Sequence, residues 1–149
     1  REKGVLTMQY KRLSNTHIAF RLNPGEELVS SIETIARKEG VTSAMIQGLG
    51  STNDIVLETY HADEKKYYHH RLTGDFEITS ITGTIDQLND DYYAHLHITI
   101  ADQEGNSHGG HLTSAVISVT AEMILTLLPE DIHRGYDKEA DLNLWQLDK

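Results

Sequence analysis

The chain has 149 residues, 38% hydrophobic and 24% charged, which suits one globular domain with a real core. Its 13 Lys and Arg stand against 23 Asp and Glu, and a formal charge of −10 weighs against binding duplex DNA through its phosphates. No apolar run approaches the roughly 18 residues of a membrane span, and the absence of cysteine removes disulfides and thiolate metal sites.

The first residues, Arg1-Glu2-Lys3, carry no signal-peptide pattern, and Met8 can serve as a start preceded by extra residues. A cytoplasmic location is the expectation. Residues 1–16 show no clear periodicity and are read as an N-terminal segment ahead of a domain over 17–149. His17-Ile18-Ala19-Phe20-Arg21-Leu22 reads as a short strand. Lys11, Arg12 and Arg21 are the nearest approach to a basic patch, and they are few. Next, Asn23 can cap a helix, Pro24 fits its first position, and Glu26 stands where a capping box needs a carboxylate. Leu28, Ile32, Ile35 and Ala36 form one apolar stripe, and Gly40 closes it, so the pattern predicts a helix over 24–39.

Beyond Gly40 the chain turns β-rich. Ala44-Met45-Ile46-Gln47 reads as a strand ending in Gly48-Leu49-Gly50-Ser51. Strands over 55–60, 67–72 and 76–85 follow, separated by Asp-, Glu- and Gly-bearing turns. The stretch Tyr92–Ile100 alternates: Leu96, Ile98 and Ile100 point one way, His95, His97 and Thr99 the other. Two imidazoles at i and i+2 on a strand can converge on one ion. Residues 101–108 are polar, contain Gly105-Asn106 and read as a hairpin connection; a reversal near Glu104 returns His111 almost opposite His97. His108 is an alternative third ligand, ranked lower because it lies in the loop. Three imidazoles with an open fourth position make a catalytic-type zinc site, and imidazole also suits iron, nickel or copper. From Ala115 to Leu127 the odd positions are apolar, which predicts one long strand stopped by Pro129; Leu142, Leu144 and Leu147 near Trp145 suggest a last short one. The whole reads as one α+β domain dominated by antiparallel strands.

A site of this kind needs an acid or base to become catalytic. Glu77, among Phe76, Ile78 and Ile81, and Glu122, within an apolar and hydroxyl-bearing run, are the candidates. Arg21 could hold a substrate carboxylate bidentately, but an ordinary surface ion pair ranks ahead of that role.

Five pieces in order carry a family resemblance: Arg21-Leu22 with Pro24-Gly25-Glu26; Gly48-Leu49-Gly50-Ser51; Gly74-Asp75-Phe76-Glu77-Ile78; His95-Leu96-His97; and Gly109-Gly110-His111-Leu112. With them the chain resembles the plants and prokaryotes conserved (PPC) domain, in its prokaryotic form. The resemblance implies a mostly antiparallel sheet with flanking helices, a homotrimer, and a protein partner near Phe76 and Glu77. Family members carry a DNA-binding label, and plant members pair the domain with AT-hook segments. This chain has no Arg-Gly-Arg-Pro core, so no strong intrinsic DNA binding is expected. The His spacing is also similar to that of acetolactate decarboxylase, a zinc enzyme. The expectation is therefore a trimeric module binding a divalent transition metal, zinc first and iron or nickel next, for binding or regulation. The alternative is a metal-dependent lyase or hydrolase acting on a small carboxylate-bearing substrate.

Overall fold

The computed structural model describes residues 8–148; residues 1–7 of the N-terminal segment and residue 149 lie outside the described residues. Strands β1 (Gln9–Arg12) and β2 (His17–Leu22) form an antiparallel hairpin, and β2 turns Ile18, Phe20 and Leu22 into the core. The N-terminal segment thus contributes a strand in the stretch where the sequence showed no pattern.

Helix α1 spans Leu28–Lys38, four residues later than the capping signal predicts. Gly25 takes φ +89, a conformation that favours glycine and does not start a helix. Its N–H donates to the Ile117 carbonyl at 2.8 Å, and the Ile117 N–H donates to the Glu26 carbonyl at 2.9 Å. The segment expected to open the helix is therefore already paired to a strand. Glu27 is the cap instead. Its carboxylate accepts from Val29 N–H at 2.9 Å, Ser30 N–H at 2.8 Å and, across the fold, Ala115 N–H at 2.9 Å. Glu26 still accepts from Asn23 N–H at 2.7 Å, half of a capping box without its helix. The far end closes as the sequence predicts: Gly40 N–H donates to the Arg37 carbonyl and Val41 N–H to the Ala36 carbonyl, at 3.3 and 2.8 Å. Leu28, Ile32, Ile35 and Ala36 are all fully buried, the larger ones each worth about 1.5–3 kcal/mol over exposure.

Four long strands follow: β3 (Ala44–His61), β4 (Lys66–Leu88), β5 (Asp91–Ala101) and β6 (Ser107–Leu127). The glycines predicted to end strands instead shift register inside continuous ones. In β3 the ladder slips at Gly48/Gly50 and at Thr52/Asp54, while β4 runs unbroken through Gly74-Asp75. β3 pairs β4 and β6, and β5 pairs β4 and β6, so the four strands close a ring. β2 extends it from β6. The hairpin of β7 (His133–Asp137) and β8 (Leu142–Gln146) joins through a parallel contact of Gln87 and Leu88 with His133 and Arg134.

Inside the ring lie Ile55, Leu57, Ile81, Ile85, Leu96, Ile98, Ile100, Leu112 and Ile117, one face of the predicted alternation. Val119, expected on that face, is 70% exposed. The slip between Gly50 and Thr52 leaves 118–120 out of the ladder with β3, and Val119 N–H donates to Ser51 Oγ at 3.0 Å instead. The expectation of flanking helices is corrected: α1 is the one helix among the described residues, because everything after Gly40 keeps the period of a strand. No described helix is long and apolar enough to cross a membrane.

Candidate metal centre

A five-residue turn positions the site. The Asp102 carboxylate accepts from Glu104 N–H at 3.0 Å and Asn106 N–H at 2.8 Å, and Gly105 takes φ +83. Those hydrogen bonds hold the Asp102 carboxyl below its ordinary value, the Asn106 backbone contributing most. With the turn fixed, Ala101 pairs Ser107 and, four residues on, His97 pairs His111. His95 lies two residues along β5 on the same outer face, opposite Thr84 of β4.

The three rings converge, with centroids 5.0 Å apart for His95 and His97, 5.3 Å for His95 and His111, and 5.8 Å for His97 and His111. One nitrogen from each ring falls in a set within 4.8 Å of one another. Two observations fit this set to a transition ion. His95 Nε2 and His97 Nε2 are 3.2 Å apart, against about 3.3 Å for two ligands on a tetrahedral ion with bonds near 2.05 Å. His111 Nδ1 is buried without a hydrogen-bond partner among the described residues, a lone pair or proton left for something else to satisfy. An ion held there would polarise bound water or a carbonyl oxygen.

Burial sets the electrostatics. It pushes His95 down from 6.5 to about 4, helped by the charges of His97, Arg134 and His111 and opposed by Asp86. Burial also lowers His111, against the pull of Glu58. Both rings therefore stay neutral at physiological pH, the state a metal ligand needs.

Around the cluster stand groups that sequence reasoning missed. Glu58 of β3 pairs His111, accepts from Thr113 Oγ1 at 2.8 Å and lies 3.5 Å from His69 Nδ1. The Tyr67 ring packs at a tilt of 50° against His111, 5.6 Å between centroids. A cleft of about 500 Å³ opens beside His95 and His97, with Thr82, Thr84, Arg134 and Trp145 in its walls. Behind it Asp86, fully buried, accepts from Arg134 Nε at 2.7 Å, Trp145 Nε1 at 2.9 Å and Thr84 Oγ1 at 3.1 Å. Splitting β3 into two strands hid the register of Glu58. Arg134 lies on a strand with no apolar alternation to reveal it.

The structure does not bring Glu77 or Glu122 to the cluster within one chain. Glu77 is exposed and pairs Ala101, five residues up β4 from the Thr82 that faces His97, or about 16 Å. Glu122 is exposed eleven residues along β6 from His111, about 36 Å, opposite Arg21 and Leu49. Arg21 shares that distant face. His108 sits 3.9 Å from Asp102 and outside the cluster. A second group, His61, Asp63 and Glu64, is exposed at the β3–β4 turn.

The displaced His95 titration predicts a pH dependence. Between pH 6.5 and about 4 the unfolded chain takes up a proton at His95 that the folded, metal-free chain refuses. Stability at this position is fully present above 6.5 and lost as pH falls toward 4. Unfolding midpoints of metal-free protein should drop more steeply across that window than those of His95→Gln; parallel profiles would contradict this.

Comparison with known proteins agrees with this architecture. The Plants and Prokaryotes Conserved (PCC) domain matches residues 9–129. A crystal structure of a "putative DNA binding protein" from Bacteroides thetaiotaomicron is 26% identical, with TM-score 0.91, covering 95% of this chain and 99% of that one. A metal-containing protein from Archaeoglobus fulgidus is also 26% identical, with TM-score 0.82 over 95% of this chain and 99% of that one. The bifunctional protein GlmU of Synechococcus sp. strain JA-2-3B'a(2-13) is 32% identical over 113 residues, 74% of this chain. This chain spans only 17% of the length of that relative, so the likeness is to one segment of it. With its motifs, its closed ring of strands and a domain match over most of its length, the chain belongs to the PCC domain family.

Proposed function

We propose that this chain is a homotrimeric PCC-domain module that binds a divalent transition ion through His95, His97 and His111, zinc first and iron or nickel next. The observation that carries the reading is the convergence of three imidazole nitrogens within 4.8 Å, two of them on rings kept neutral by burial. A similar protein described as metal-containing supports it in kind. Metal analysis of untagged protein should give about one ion per chain. His97→Ala should lose the ion while its circular dichroism stays native. Stoichiometric metal in the triple alanine variant would sink the assignment.

Trimer formation has support on the outer face of β2, β6 and β3. Met45, Leu49 and Ile124 leave an apolar strip exposed there, Leu49 at 53%. Light scattering should give close to three times 16.8 kDa, and Ile124→Asp should shift the mass down. A stable monomer at micromolar concentration would remove the trimer.

Intrinsic affinity for duplex DNA is proposed to be weak. Besides the charge of −10, Arg12, Arg37, Arg71 and Arg134 are each engaged by a carboxylate of the same chain. Fluorescence titration at physiological salt should show at most weak, non-selective binding. Submicromolar, sequence-selective affinity would overturn this.

A second reading, a metal-dependent lyase or hydrolase on a small carboxylate-bearing molecule, is favoured by one observation. Among the described residues no fourth His, Asp or Glu completes the cluster, and half-buried Glu58 stands beside it. Metal-dependent turnover of such an acid, lost in Glu58→Gln with the ion retained, would select it.

A further inference from the structure

The cleft beside the imidazoles has a mixed lining. His95 and His97 of β5 line it together with Arg134, Leu144 and Trp145 of the β7–β8 hairpin. Arg134 is held from several sides. Its side chain is only 6% exposed, Nε donates to Asp86 at 2.7 Å and Nη1 donates to the Asn143 carbonyl at 3.0 Å. The Tyr93 and Trp145 rings lie 4.9 and 5.8 Å from its guanidinium carbon. No described residue accepts from Nη2. A guanidinium held this firmly, with donor capacity unused at the wall of a cleft, is preorganised for an acceptor from outside.

We propose that this cleft binds a small monocarboxylate bearing a second oxygen, the carboxylate docked on Arg134 and the other oxygen turned to the imidazole-held ion. The proposal rests on the metal reading above. The charge balance favours a monoanion over a phosphate dianion: fully buried Asp86 offsets much of the Arg134 charge, and the chain as a whole carries −10. The planar fork of the guanidinium matches a carboxylate. Trp145 and Leu144 give the rest of the ligand an apolar surface, and Thr82 and Thr84 also line the cleft. Thr84 links the imidazoles to Arg134, because it pairs His95 across the ladder while its hydroxyl donates to the Asp86 that holds Arg134.

Titration calorimetry on zinc-loaded protein tests this with lactate, lactamide and inorganic phosphate, with zinc content measured on each sample. Lactate should bind at least about tenfold more tightly than lactamide, which keeps the hydroxyl and lacks the charge. Arg134→Gln should keep its zinc and lose that preference. If leaving Asp86 without its cation unfolds that variant, the Asp86→Asn, Arg134→Gln double variant removes both charges together, and the same loss is expected. Equal affinity for lactate and lactamide in wild-type protein would overturn the proposal, as would unchanged lactate binding in the variants or phosphate binding as tight as lactate. Each of those results leaves the zinc count intact, whereas wild-type protein that holds no zinc removes the metal reading and this proposal with it.

Discussion

Everything at the candidate centre depends on the register between β5 and β6. Side chains on a strand alternate faces, so a slip of one residue would exchange His97 for Leu96 or Ile98 on the outer face and drive an imidazole into the core. Two things prevent it. The Asp102 carboxylate and the left-handed Gly105 fix the turn at five residues. On the inner face Leu96, Ile98 and Ile100 are buried, and each would be turned to solvent by a slip. The core and the turn thus specify the same register, and the convergence of the three imidazoles follows from it.

Closure of the ring adds what a flat hairpin could not. Because β6 is paired on both edges at His111, that residue faces His97 on one side and Glu58 on the other. A half-buried surface results, dry enough to keep His95 and His111 uncharged yet open to a cleft. The β7–β8 hairpin lines that cleft through Arg134, in a pair with Asp86. Such a buried pair is weak evidence for stability, since desolvation offsets much of its attraction. Its fixed geometry, braced by Trp145, Thr84 and the Asn143 carbonyl, is better understood as positioning a guanidinium.

Much of this was legible in the sequence where the signal was periodic. The strand with His95 and His97, the return of His111, the long β6 and the buried stripe of α1 all follow from alternation or from helical spacing. What was not legible depended on tertiary pairing. Asn23, Pro24 and Glu26 read as a helix start, but Gly25 and Glu26 pair with Ile117 of β6, and the cap passes to Glu27. Gly48 to Ser51 read as a strand end and proved to be a bulge, and with that register lost Glu58 could not be placed opposite His111. Linear sequence does not give distance along a sheet, so the placing of Glu77 and Glu122 away from the imidazoles within one chain emerges only from the strand registers. Arg134 gave no local signal at all; its importance comes from Asp86 and Trp145, 48 residues before it and 11 after.

Anomalous diffraction from zinc-loaded crystals measures directly whether one transition ion sits among His95, His97 and His111. An anomalous peak bonded to a ring nitrogen of each of the three residues at about 2.0–2.1 Å is expected, with a non-protein atom or water completing the sphere from the cleft side. An ion found instead at His61, Asp63 and Glu64, or none at the three imidazoles in fully loaded protein, would contradict that placement.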